Sequence, residues 1–138
     1  MVEVALAMVE QDGRWLLQLR DDVDGIVAPG CWGLFGGHLD PGEDPEQALR
    51  RELLEEISWR VDQVQHRFSH RQAERVLHFF FTTLRDPLDS LCLREGQDMV
   101  LASLDTLRQG SVWSPALGEH RPLAASLQLA VDHLSARS

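Results

Sequence analysis

Gly36 to Trp59, GGHLDPGEDPEQALRRELLEEISW, constrains this chain more than any other stretch, because it joins two glycines to a helix whose polar face is almost entirely carboxylate. On a wheel of about 100° per residue with Glu52 at zero, Glu56 falls near 40° and Glu55 near 300°, so three acids share one ~100° arc. Leu49, Leu53 and Ile57 fall at roughly 60° to 140°, an adjacent stripe suited to a core. The acids are thus presented by a helix that is held in place. The arrangement is electrostatically unfavourable: acids in the last turn oppose the helix dipole, and Glu52 repels Glu55 and Glu56, each effect costing a few tenths of a kcal/mol when exposed. Arg51 can serve one carboxylate, Arg50 points toward the apolar side, and the chain contains no lysine. A divalent cation would resolve the conflict better than any nearby side chain. The competing reading, a solvated acidic helix in an acidic protein, is disfavoured by the flanking glycines.

At 138 residues the chain is expected to form one domain, 1–138, with a single core. Its net charge of −9 argues against an electrostatic grip on nucleic acid or an anionic membrane. It does not exclude a small polyphosphate, provided a metal ion carries the positive charge. Cys31 and Cys92 lack C-x-x-C spacing and read as free thiols in a reducing compartment, with one disulfide still allowed by sequence. The N-terminus has an acid at Glu3 and no basic n-region, so it does not resemble a signal peptide. No run approaches the roughly 20 apolar residues of a membrane span. A cytoplasmic location is the expectation.

Along the chain, Val2 to Val9 and Trp15 to Leu19 predict a strand couple around the Gln11-Asp12-Gly13 turn signal, and Asp21 to Gly30 a mobile loop. Cys31 to Leu39 predicts a short strand delivering the chain to Gly36 and Gly37, where the backbone can take positive φ or meet a ligand or a second backbone closely. Asp44 is a candidate N-cap, with Pro45 at the first helical position and Gln47 completing a capping box, for a helix from Pro45 to Ile57. Val61, Val64 and Phe68, with the polar residues among them, predict a strand between Trp59 and Phe68, Ser69 to Arg75 a hairpin loop, and Val76 to Leu84 a strand buried on both faces. The H-x₃-H spacing of His66 and His70 does not place both rings on one face of a strand, so a zinc site is not expected. Met99 to Ala102 reads as a strand, Leu104 to Gln109 as a short helix capped by Ser103 and stopped by Gly110, and the segment with Trp113 and Pro115 as a loop. Pro122 to about Leu134 has helical period.

Gly37, five residues, Glu43, seven residues, then Arg51-Glu52-Leu53-x-Glu55-Glu56 resembles the signature of the Nudix hydrolase superfamily. At average composition these identities arise by chance at roughly one in 10⁷ per starting position, which makes the pattern specific. The resemblance implies an α+β Nudix fold, a mixed β-sheet sandwiched between helices in an α/β/α arrangement. It departs from the family at Ser58, where a glycine is usual, and at Trp59, where an aliphatic residue is usual. A non-glycine residue holding a left-handed helix stop costs about 1 kcal/mol, so a shifted or extended helix end is expected.

The resemblance further implies MutT-like cleavage of a nucleoside diphosphate linked to another moiety, with Mg²⁺, or Mn²⁺, held by Glu52, Glu55 and Glu56 and by the Gly36 carbonyl. Glutamate oxygens are suitable hard ligands for such ions. Arg51 would orient the glutamates, Gly37 would face the substrate, and Glu43, on the loop facing the same site, would contact substrate, ligate the metal or support its ligands. The expected chemistry is in-line attack of water on a phosphorus, helped by the cation's charge. Glu52, ahead of Glu56, is the first choice of general base, and Glu95, on the loop LREGQ, is the external candidate against a plain solvated turn residue. Trp32 and Phe35 are candidates to stack a base, although aromatics on such a strand are more often core. Arg20 is a candidate phosphate ligand against the plainer surface role, and His38 is expected to be exposed and not a ligand. Cys31 lacks the pattern of a nucleophile. The implied substrate is a nucleoside triphosphate, oxidised ones included, with nucleotide sugars and ADP-ribose as alternatives. A non-catalytic nucleotide-binding module would predict decayed glutamates, and all three are present. The partner expected is this small molecule, with no nucleic acid or membrane, and with a homodimer left open.

Overall fold

A computed structural model describes residues 1–136. Its strands begin with β1 (Val2–Gln11), β2 (Arg14–Leu19), β3 (Trp32–Gly33) and β4 (Gly36–His38), followed by helix α1 (Pro45–Ile57). Then come β5 (Gln65–Gln72), β6 (Arg75–Thr83), a 3₁₀ turn (Leu88–Ser90), β7 (Asp98–Ser103), α2 (Leu104–Arg108), β8 (Ser111–Ser114), β9 (Glu119–Pro122) and α3 (Ala125–Ala136). The chain divides into two units, one of Met1–Glu10 with Phe35–Arg94, the other of Gln11–Leu34 with the chain from Glu95 onward.

The first unit is built on a mixed sheet. β1 runs parallel to β6, pairing Val2 with Arg75 through Glu10 with Thr83, and antiparallel to β4. β5 and β6 form an antiparallel hairpin with a register shift between His66 and Phe68. β6 has neighbours on both sides, and Val76, Leu77, Phe79 and Phe80 are buried, which is why it reads as a dense run of β-formers. Strand β5 starts four residues later than Val61 and continues through Gln72, where a hairpin loop was expected. Its own residues are mostly polar, and its pairing to β6 overrides its weak apolar pattern.

Helix α1 begins and ends where its sequence signals place it. The Asp44 carboxylate accepts from the Gln47 N–H at 2.8 Å, and the Gln47 side-chain oxygen accepts from the Asp44 N–H at 2.9 Å, with Pro45 at the first helical position. Ala48, Leu49, Leu53 and Ile57 are fully buried, each of the larger three contributing about 1.5–3 kcal/mol of burial.

The second unit holds β2 between β3 and β7, both antiparallel to it. Asp12 and Gly13, at φ 52° and 77°, supply the tight turn that precedes β2. The expected strand from Cys31 is two short strands, because the chain breaks at Leu34 and Phe35. The segment around Trp113, expected to be a loop, is the β8–β9 hairpin: Val112 and Ser114 are buried while Trp113 is exposed and packs edge-on against His120. The loop from Asp21 to Gly30, expected to be mobile, is tied down. Arg20 Nε donates to the Val27 carbonyl at 2.6 Å, Arg121 Nε donates to the Gly30 carbonyl at 2.8 Å, and Arg121 pairs with Asp22 at 3.3 Å. In α3, Leu127, Ala130 and Val131 are buried. Neither cysteine forms a disulfide, and no helix among the described residues is long and apolar enough to cross a membrane.

Candidate metal and diphosphate site

The carboxylates of α1 meet the glycines within the first unit. Gly36, at φ 138°, lies so close to β1 that a Cβ there would overlap the Ala5 carbonyl oxygen, so this glycine serves the approach of a second backbone. Gly37 serves a side chain instead: a Cβ on it would sit 2.7 Å from Glu52 Cδ. The three glutamates grade from inside to outside. Glu56 is 4% exposed and its Oε1 accepts from the Gly36 N–H at 2.8 Å, while the side chains of Glu52 and Glu55 are 16% and 59% exposed.

Arg51 does far more than serve one carboxylate. Its Nε and Nη2 fork onto the two oxygens of Glu43 at 2.8 and 2.9 Å, its Nη1 donates to Glu52 at 2.9 Å and Glu55 at 3.3 Å, and its Nη2 also donates to the His38 carbonyl at 3.0 Å. Asp40 adds a fourth carboxylate at 3.2 Å. These acids hold the Arg51 guanidinium firmly protonated, the hydrogen bond to Glu43 contributing most. In return, Arg51 chiefly, with the Asp40 N–H, holds the Glu43 carboxyl below the usual range. The one cation needed to relieve the acidic face is therefore partly built in.

The helix end carries a second relief. Ser58 takes the left-handed conformation, φ 55° and ψ 36°, that glycine would take, so the helix end is neither shifted nor extended. The Ser58 hydroxyl accepts from Arg94 Nε at 2.6 Å, the Arg94 N–H donates to the Glu56 carbonyl at 2.8 Å, and the Cys92 N–H donates to the Ile57 carbonyl at 3.1 Å. Two last-turn carbonyls are thus satisfied, and an arginine sits where the helix dipole favours positive charge.

Several of the expected residues are engaged within the protein itself. Glu43, expected among the substrate-binding residues, spends both oxygens on Arg51 and the Asp40 N–H. Trp32 and Phe35 are fully buried and offer no stacking face; Trp32 donates its indole N–H to the Val112 carbonyl at 2.9 Å. Arg20, expected at a phosphate, donates Nε to its own loop. Arg50 does not lie idle on the apolar side but holds the Val61 and Asp62 carbonyls and Glu46. Glu95 belongs to the second unit, exposed, with its carbonyl held by Gln18 Nε2 at 3.0 Å. His38 is exposed. Asp40, the His38 carbonyl and Arg94 were missed by sequence reasoning. Asp40 carries a weak signal as an acid in the turn before Glu43, whereas a backbone carbonyl and a contact 36 residues distant carry none.

A hard divalent cation fits this place by donor chemistry, all carboxylate or carbonyl oxygen, and by charge, since five acids share Arg51 and the helix end. Among the described residues no three His, Cys, Asp or Glu side chains already converge as a ligand group. Glu56 faces Gly36, and Glu52 and Glu55 share Arg51 Nη1, so a cation and Arg51 draw on the same oxygens.

A model of the NUDIX domain matches residues 1–117, and the chain belongs to that family. Nucleoside triphosphatase NudI of Escherichia coli is 43% identical over 54 residues, which is 39% of this chain and 38% of the length of that relative. The solution structure of the Escherichia coli ORF135 protein superposes with a TM-score of 0.71 at 29% identity, covering 99% of this chain and 89% of that one. A MutT structure described for Aliivibrio salmonicida and Vibrio cholerae shares the fold, with a TM-score of 0.75 at 22% identity over 99% and 98% of the two chains.

Proposed function

We propose that this protein is a divalent-cation-dependent hydrolase of nucleoside diphosphate derivatives, and that its substrate is a nucleoside triphosphate, oxidised ones included. The observation that carries the reading is the placement of Glu52, Glu55 and Glu56 on one buried-backed helix against Gly36 and Gly37, with Arg51 threaded among them. The similarity to nucleoside triphosphatase NudI supports the choice of substrate class.

In this reading Glu52, Glu55, Glu56 and the Gly36 carbonyl would hold Mg²⁺ or Mn²⁺, which would supply positive charge against the phosphate oxygens and make a nearby water more acidic. Arg51 holds Glu52 and Glu55 in orientation, and its grip on Glu43 and the His38 carbonyl fixes the loop beside them. Gly37 leaves room for Glu52 next to the backbone, which suits Glu52 to removing a proton from the attacking water. The water attacks a phosphorus in line with the leaving oxygen. Residues 1–138 work as a single catalytic domain, in the cytoplasm.

The test is a panel of nucleoside triphosphates, nucleotide sugars, dinucleoside polyphosphates and ADP-ribose assayed for phosphate or pyrophosphate release with Mg²⁺. Turnover fastest on a triphosphate is expected. Faster turnover of ADP-ribose or a nucleotide sugar would move the substrate class, and no turnover by the wild type or by Ser58→Gly would sink the enzymatic reading.

A further inference from the structure

On the sheet of the first unit, away from the α1 carboxylate face, a serine, two histidines and a glutamate form one hydrogen-bonded chain. Ser69 Oγ lies 2.7 Å from His78 Nδ1, His78 Nε2 lies 2.9 Å from Glu3 Oε1, and His66 Nε2 lies 2.9 Å from Ser69 Oγ. The topology explains how they meet. Ser69 and His78 are directly opposed across β5 and β6, and Glu3 lies on β1 next to β6. His66 would fall on the opposite face from Ser69 in a regular strand, and the shift between His66 and Phe68 brings it to the same one. The edge of the His66 ring also packs on Phe80 at 5.4 Å.

Hydrogen-bond bookkeeping gives this chain a direction. The ionised Glu3 can only accept, so neutral His78 carries its proton on Nε2 and presents a bare Nδ1. Ser69 then donates its hydroxyl proton to Nδ1, and its remaining lone pairs accept from His66 Nε2–H. Serine, base and orienting acid are thereby connected at the spacing that activates a hydroxyl nucleophile, with the two ring nitrogens in the reverse order to the serine proteases. Ser69 is exposed, whereas the His78 side chain is only 15% exposed. The serine opens on a cleft of about 590 Å³ whose walls include Pro45, Gln47, Arg50 and Phe80.

We propose that Ser69 is a second, nucleophilic site, activated by His78 and Glu3, that cleaves small carboxylic esters whose acyl group packs against Pro45 and Phe80. Ser69 Oγ bonds to the ester carbonyl carbon as its proton passes to His78 Nδ1, with His66 Nε2–H donating to the oxyanion. The C–O bond to the alcohol breaks, and the departing oxygen takes the proton from His78. Water then attacks the acyl carbon by the same route, releasing the acid and restoring Ser69. This site is separate from the glutamate face and does not rest on the nucleotide reading.

The test treats the full chain with a fluorophosphonate, in which Ser69 Oγ would bond to phosphorus and fluoride would leave, and follows p-nitrophenyl acetate hydrolysis in parallel. The expected result is one adduct, mapped by peptide mass to Ser69, with both reactions absent in Ser69→Ala. Labelling of His78→Ala should be slower by about 100-fold or more, with both variants confirmed folded by their thermal unfolding. No adduct at Ser69, ester hydrolysis undiminished in Ser69→Ala, or wild-type labelling rates in His78→Ala would each overturn the proposal.

Discussion

Ser58 shows how one residue can depart from a family pattern and keep its geometry. It accepts the left-handed conformation at a cost of about 1 kcal/mol and recovers about the same from its hydrogen bond to Arg94. Ser58→Gly should therefore change stability by less than about 0.5 kcal/mol, whereas Ser58→Ala, which keeps the strain and loses the bond, should cost about 1 kcal/mol. Urea unfolding of the two variants checks this: an unchanged stability of Ser58→Ala would mean that Arg94 contributes nothing, and equal losses would mean that the left-handed conformation carries no strain. The paired glycines divide in the same way. Gly36→Ala drives a Cβ into the β1 backbone at positive φ and should cost about 4 kcal/mol or more, or prevent folding. Gly37→Ala meets only the end of the Glu52 side chain, so it should fold normally and lose nucleotide turnover. A folded Gly36→Ala or a fully active Gly37→Ala, judged by circular dichroism and steady-state rates, would contradict the two roles.

At the scale of elements, α1 was legible because its signals are local. The Asp44–Gln47 capping box, Pro45 and the Leu49, Leu53, Ile57 stripe all lie within one window, and the helix follows them from Pro45 to Ile57. The β5–β6 boundary and the β8–β9 hairpin were not legible. Their strands are held by cross-strand pairing, which an individual polar stretch such as QHRFSHRQ does not announce. The candidate site divides along the same line: the glutamates, Arg51 and the glycines were readable from spacing, whereas Trp32 and Phe35 were misplaced because burial decides whether an aromatic is core or platform. The loop preceding α1 depends on the Glu43–Arg51 fork. The folded Glu43 carboxyl titrates below its ordinary value, so its contribution to stability is complete above about pH 4.5, the ordinary value, and is lost as pH falls through the lower folded value. Glu43→Gln should flatten that part of the acid stability profile and leave stability above it nearly independent of pH. An unchanged acid profile, measured by urea unfolding at a series of pH values, would show that the fork is not formed in solution.

For the whole molecule, the net charge of −9 and the acidic face of α1 accord with the proposal that the folded state binds a divalent cation and uses it for chemistry. Arg51 and Arg94 place positive charge at the acidic face and the helix end, but Glu52 and Glu55 share a single guanidinium nitrogen and still present excess negative charge. The most direct test is the rate of nucleoside triphosphate hydrolysis as Mg²⁺ is titrated into metal-stripped protein, for the wild type and for Glu52→Gln. The account predicts no turnover without the cation, saturable activation of the wild type, and a loss of about 100-fold or more in Glu52→Gln at saturating Mg²⁺. Turnover that is independent of Mg²⁺, or that survives unchanged in Glu52→Gln, would contradict it.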